Sequence, residues 1–223
     1  MLQIENLQHR FGEKIVFEKI NLHFSFGKTY GIVGANGVGK TTFFRVLSKI
    51  YKTQGGTIKL NNQPLSTSHI SFLPTDPFFY SYMNGGEYLQ IVLSDKNKVE
   101  QCVKMAANLH IPLQQLVESY STGMKKKLAL IACQAQERKV QIYDEPFNGV
   151  DLESNEIIKH WIKQPQPNHI KIISSHMLSS MTDICDEIYY IQPGFVISHF
   201  EKNQFNILSE KIQASINERM QLD

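Results

Sequence analysis

The chain has 223 residues, of which 42% are hydrophobic and 20% charged, with a formal net charge of +2. It can bury a sizeable core without covalent staples, and its near-balanced charge argues against a nucleic-acid-binding surface. Cys102, Cys133 and Cys185 are odd in number and without C-x-x-C spacing, which argues against a disulfide framework or zinc site and for a reducing compartment.

The first stretches, LQIENL and KINLHFSF, read as short strands punctuated by Gly12 and Gly27. The opening has no apolar signal-peptide core. No run approaches the ~18 apolar residues of a membrane span. Work at a membrane is therefore expected to go through a partner and not through direct insertion. TYGIV (29–33) is an apolar run ending at a glycine, consistent with a buried strand. KTTFFRVLSKIY then places Phe43, Phe44, Val46, Leu47 and Ile50 at helical spacing. GGTIKLNNQPL reads as a strand with a turn after it.

From about Pro77 to Gln136 the strand signals thin out, and a helical insert is expected. KNKVEQCVKMAANLHI puts Val99, Cys102, Val103, Ala106 and Leu109 on one face, with Asn97 and Glu100 spaced for a helix start. KLALIACQAQ is a second helix candidate. Strands return with KVQIYDEP and IKIISSH, separated by a helix in SNEIIKHWIKQ that QPQPN ends. MLSSMTDIC reads as a helix and EIYYIQPGFVISHF as a hairpin turning at Pro193-Gly194. The alternation predicts an α/β fold with a mainly parallel central sheet. It divides the chain into a core of 1–76 and 137–205, the insert of about 77–136, and a tail of about 206–223 that carries no readable motif.

GANGVGKTT (34–42) fits the phosphate-loop pattern G-x-x-x-x-G-K-[ST]. Its glycines let backbone N–H groups ring a phosphate, and the helix that follows adds its positive end. Asn36, Gly37, Gly39, Lys40, Thr41 and Thr42 are the candidate nucleotide contacts. Lys40 reaches the outer phosphates, and the Thr41 hydroxyl can ligate Mg²⁺. QIYDE (141–145) closes a buried strand with two acids. Asp144 can hold Mg²⁺, and Glu145 can orient an attacking water. His176 ends a later strand. A lone histidine there is more often packed or solvated than catalytic, and its place after the acid pair is what singles it out. Phe11 is able to stack on an adenine, but taken alone it reads as a core residue.

Together these motifs resemble the nucleotide-binding subunit of an ATP-binding cassette transporter, over about residues 2–200. GANGVGKTT would be its phosphate loop, YSTGM its signature, QIYDE the strand with the catalytic Glu145, NGVD (148–151) the next loop and His176 its switch histidine. The resemblance implies a phosphate-loop NTPase core with an antiparallel β region at the amino end and an inserted helical subdomain. It implies ATP and Mg²⁺ as ligands and catalytic roles for Lys40, Glu145 and His176. It also implies two subunits packed head to tail, so that Ser121 and Gly123 of one face the γ-phosphate held by the other.

The expected function is an ATPase subunit of a membrane transporter, of an exporter type with separate membrane chains. The subunit would lie at the cytoplasmic face, paired with itself or with a second nucleotide-binding subunit. A soluble cassette ATPase acting on ribosome or DNA, and a non-hydrolysing ATP-dependent clamp, are the alternatives. Three departures from the family pattern stand out. Thr122 and Met124 alter the signature, Thr75 stands where a glutamine is usual, and Phe11 replaces the commoner tyrosine. Lys125, Lys126 and Lys127 follow the signature, either close to phosphate charge or facing solvent, with solvent expected for most of them.

Overall fold

The structure is a computed structural model that describes residues 1–220. Strands β1 (Leu2–Phe11) and β2 (Lys14–Phe24) form a long antiparallel hairpin. Gly12 makes its turn at φ +57°, a left-handed value that suits glycine. β3 (Thr29–Gly34) leads into α1 (Lys40–Leu47), and β4 (Gly55–Leu60) and the short β5 (Gln63–Pro64) follow. Asn61 and Asn62 both take positive φ between β4 and β5, the chemistry of a tight hairpin turn. After β6 (Ile70–Leu73) come three helices: α2 (Gly85–Val92), α3 (Lys96–Asn108) and α4 (Thr122–Ala135). Next are β7 (Val140–Asp144), α5 (Leu152–Lys163), β8 (Ile170–Ser175), the hairpin β9 (Glu187–Gln192) and β10 (Val196–Glu201), and α6 (Phe205–Met220).

The strands make two sheets. One is antiparallel in the order β2-β1-β4-β5, and the other runs β10-β9-β3-β8-β7-β6. In the second sheet β9, β3, β8, β7 and β6 are mutually parallel, with β10 antiparallel at the edge. β3, β7 and β8 are buried along their whole length, as strands covered on both faces must be. One apolar cluster, with Phe17, Phe24, Tyr30, Phe43 and Phe44, fills the space between the sheets and around α1. The other, with Leu89, Leu109, Leu128, Ile131, Ile158 and Leu208, joins α2–α6 to the opposite side. Cys102, Cys133 and Cys185 are buried free thiols.

Local chemistry moves several expected boundaries. α1 stops at Leu47, because Lys49 turns left-handed and Tyr51 N–H bonds the Arg45 carbonyl. Ile50 is consequently exposed. α3 is capped by Asp95, whose carboxylate accepts the Asn97 N–H, and not by Asn97. Val103 lies outside its buried face. MLSSMTDIC makes only a turn of 3₁₀ helix at Leu178–Ser180. There the Ser180 and Thr182 hydroxyls bond the Met177 and Ser179 carbonyls, the local competition that keeps such residues out of helices. The tail is a helix anchored by Phe205 and Leu208, while 221–223 lie outside the described residues.

Candidate functional site

Four parallel strands deliver the candidate residues to one edge of the sheet. The phosphate loop follows β3, Thr75 follows β6, Asp144 ends β7 with Glu145 after it, and His176 follows β8. Ligands of open parallel sheets bind at this carboxyl edge. The cleft there is lined by Asn36, Gly37, Gly39, Lys40, Thr41, Thr42, Thr75, Glu145, Asn148 and His176.

The phosphate loop is closely fitted. Gly37 and Gly39 have φ of +79° and +109°. A Cβ on Gly39 would lie 2.9 Å from Val16 Cγ1, so a side chain is excluded there on two counts. Gly39 caps α1 without a side-chain bond, which leaves the first N–H groups free for an anion. Lys40 is buried, and its amine donates to the carbonyls of Gly34 (2.7 Å) and Ala35 (3.1 Å). Burial pushes that amine down, against the pull of Glu145 and Asp144.

Opposite it stands Glu145. Its Oε1 lies 3.9 Å from Lys40 Nζ, and His176 Nδ1 donates to its Oε2 at 3.1 Å. Its backbone is left-handed, φ +51°, which costs a non-glycine residue about 1 kcal/mol. The Ser174 hydroxyl accepts the Glu145 N–H at 2.9 Å and donates to Asp144 Oδ1 at 2.5 Å. Thr75 donates to Asp144 Oδ2 at 2.8 Å. The threonine at this position therefore places a hydroxyl oxygen beside the acid. Among the described residues no cluster of three or more His, Cys, Asp or Glu is set to hold a metal. One buried carboxylate with nearby hydroxyls instead suits Mg²⁺, which takes few protein oxygens and completes its shell with water and substrate phosphate.

Other candidates lie elsewhere. Ser121 and Gly123 do not line the cleft. Ser121 caps α4, accepting the Met124 N–H at 3.2 Å. Gly123 abuts the loop after Glu145, where an added Cβ would sit 2.6 Å from the Gly149 carbonyl oxygen. Phe11 is 49% exposed, not a core residue, and meets His9 and Tyr51 edge-on. The solvent expectation for the signature lysines fails at two of three. Lys126 and Lys127 are buried. Lys126 donates to the Glu145 carbonyl at 3.0 Å. Lys127 donates to the Leu109 carbonyl, Ser154 Oγ and Asp151 Oδ2. Buried carbonyls outbid water here because lysine's stem packs while its amine is paired. Asn148 is read from the sequence only as the start of the NGVD loop, and Ser174 is not legible as a site residue. Ser174 is set by its parallel register opposite Asp144, which no local pattern reveals.

Such a strand–loop–helix cradle with a paired acid at the sheet edge defines a phosphate-loop nucleoside-triphosphate hydrolase. The family described as "ABC transporter" matches residues 17–148. The bacitracin transport ATP-binding protein BcrA of Enterococcus faecalis is 33% identical over 98% of this chain and 78% of that protein. The lantibiotic transport ATP-binding protein SrtF of Streptococcus pyogenes is 26% identical over 94% of this chain and 95% of that one. A solved structure of an ATP-binding subunit of an ABC transporter superposes with a TM-score of 0.82 at 19% identity, over 92% of this chain and 93% of that one, which speaks for the fold. The chain belongs to the ABC transporter family. It is an ATP-binding and ATP-hydrolysing subunit whose work is coupled to membrane transport. No helix among the described residues is long and apolar enough to cross a membrane, and membrane partner subunits are implied.

Proposed function

We propose that the chain is one half of an ATP-driven head-to-tail dimer in an exporter, held at the cytoplasmic face by separate membrane subunits. The core, 1–76 and 137–205, holds the nucleotide, and the 77–136 insert presents the signature to the opposite copy. Asn36 to Thr42 enclose the phosphates, and Lys40 offsets their charge. Phe11 stacks on the adenine. Thr41 and Asp144 would hold Mg²⁺, which supplies charge neutralisation at the phosphates when bound. Glu145 orients the attacking water, and His176 orients Glu145. Ser121 and Gly123 seat the γ-phosphate of the neighbouring copy. The names of BcrA and SrtF support a peptide-like antimicrobial as cargo.

The observation that carries this reading is a division. One cleft gathers the phosphate loop, Glu145 and His176, while Ser121 and Gly123 lie outside it. A second copy is the simplest source of the missing wall. Glu145→Gln is the test. With Mg-ATP it should accumulate a dimer, read by light scattering, while turnover falls about 100-fold. Hydrolysis at the parent rate would remove Glu145 from the mechanism.

A further inference from the structure

Glu145 is held in an unfavourable backbone state. Its φ of +51° is left-handed, and it precedes Pro146, whose ring disfavours helical conformations in the preceding residue and favours extended ones. Such a conformation persists only when its surroundings over-determine it. Three groups do so here. Ser174 takes the Glu145 N–H. The Glu145 carbonyl accepts the Asn148 N–H at 3.2 Å and the Lys126 amine at 3.0 Å.

Lys126 differs from the other two because it comes from α4. It is 3% exposed, and the Glu145 carbonyl is its hydrogen-bond partner among the described residues. Burying an amine is costly, and a leucine or glutamine would fill the space at less cost. The same stretch of α4 is tied to the loop beyond Glu145 at two more points. Gly123 lies against the Gly149 carbonyl, and Lys127 reaches Asp151 and Ser154. The start of α4 and the segment 145–154 are therefore joined at three points.

We propose that Lys126 is a positioning residue for hydrolysis: its amine fixes the Glu145 peptide so that the carboxylate stays between Lys40 and His176. This rests on the reading of Glu145 as the residue that orients water. Lys126 does not line the cleft; its role runs through the Glu145 backbone carbonyl that it holds. It also places the control of Glu145 on the helix that carries Ser121 and Gly123.

The test uses the transporter assembly purified from membranes, with Lys126→Met, Lys126→Gln and Glu145→Gln compared by kcat, KM for ATP and melting temperature. Lys126→Met should lower kcat about tenfold, with KM within about twofold of the parent, because misplacement affects the reacting geometry and not ground-state binding. Lys126→Gln keeps a donor one bond shorter and should recover part of kcat. Lys126→Met added to Glu145→Gln should cost nothing further. Parent kcat in Lys126→Met, or a KM that rises in step with the loss, overturns the proposal. If the Met variant does not fold, Lys126→Gln decides: kcat lowered about threefold at constant KM supports it, and parent kcat overturns it. The two readings fail separately. Glu145→Gln at parent rate sinks the role of Glu145, while an inactive Glu145→Gln beside a fully active Lys126→Met sinks Lys126 alone.

Discussion

Helix α1 begins on Gly39 with no side chain closing its first turn, whereas α4 begins on Ser121, whose hydroxyl already accepts the Met124 N–H. Each start has a glycine that tolerates no Cβ: Gly39 is crowded by Val16 and Phe195, and Gly123 by the Gly149 carbonyl. Each has a buried lysine bonded to backbone carbonyls, Lys40 and Lys126, and in both burial is the main force pushing the amine down. The difference lies in direction. The α1 end opens into the cleft of its own chain. The α4 end is partly self-satisfied and turned elsewhere, so it can stay folded without a ligand. On the proposed head-to-tail reading, a seat filled from within the chain can be left bare, while one to be filled by a neighbour keeps an interim partner.

Substitutions can break that comparison. Lys40→Met should have the largest effect, a loss of about 1,000-fold in ATP turnover with little change in melting temperature, because it removes the cation facing the developing charge. Gly123→Ala comes next. It should destabilise the chain by about 1–3 kcal/mol in urea titrations, as the Gly149 carbonyl is forced away, and leave nucleotide affinity of the isolated chain unchanged. If Gly123→Ala weakened that affinity as Lys40→Met does, the two helix starts would serve one cleft and the contrast would collapse. The smallest effect concerns a third helix terminus. The Lys171 amine donates to the carbonyls of Ile162 and Gln164 at the end of α5, and burial lowers it to about 8. Between that value and the ordinary lysine range near 10.4 the unfolded chain binds the extra proton, so folding gains stability as pH rises through this window and loses it as pH falls through about 8. The stability of the parent relative to Lys171→Met should therefore increase from pH 7 to pH 10. A difference independent of pH would show that the amine is held charged.

The phosphate loop, QIYDE and the strands were legible because their signals are local: glycines at fixed spacing, apolar runs closed by acids, turns made by Gly and Asn. The signature lysines were not. A run of three lysines ordinarily marks a solvated surface, and only carbonyls from Leu109 and Glu145, distant in sequence, make burial of Lys126 and Lys127 tolerable. Thr75 looked like a gap in the pattern, and its bond to Asp144 appears only once β6 and β7 are paired. The end of α1 departs from its apolar spacing for a related reason. The apolar spacing runs on to Ile50, but the Lys49 turn and the bond from the Tyr51 N–H to the Arg45 carbonyl end the helix first.

The three cysteines have a practical consequence. All are buried, with thiols pushed up to about 11 at Cys102 and about 12 at Cys133 and raised at Cys185 as well. The native chain thus offers maleimides almost no thiolate to attack at neutral pH, and no prior removal of cysteine is required. Ser121→Cys and Asn36→Cys, introduced together, would be the reactive sites. A short bifunctional maleimide should then link two chains when Mg-ATP is present, and linkage within a single chain would contradict the proposed head-to-tail dimer.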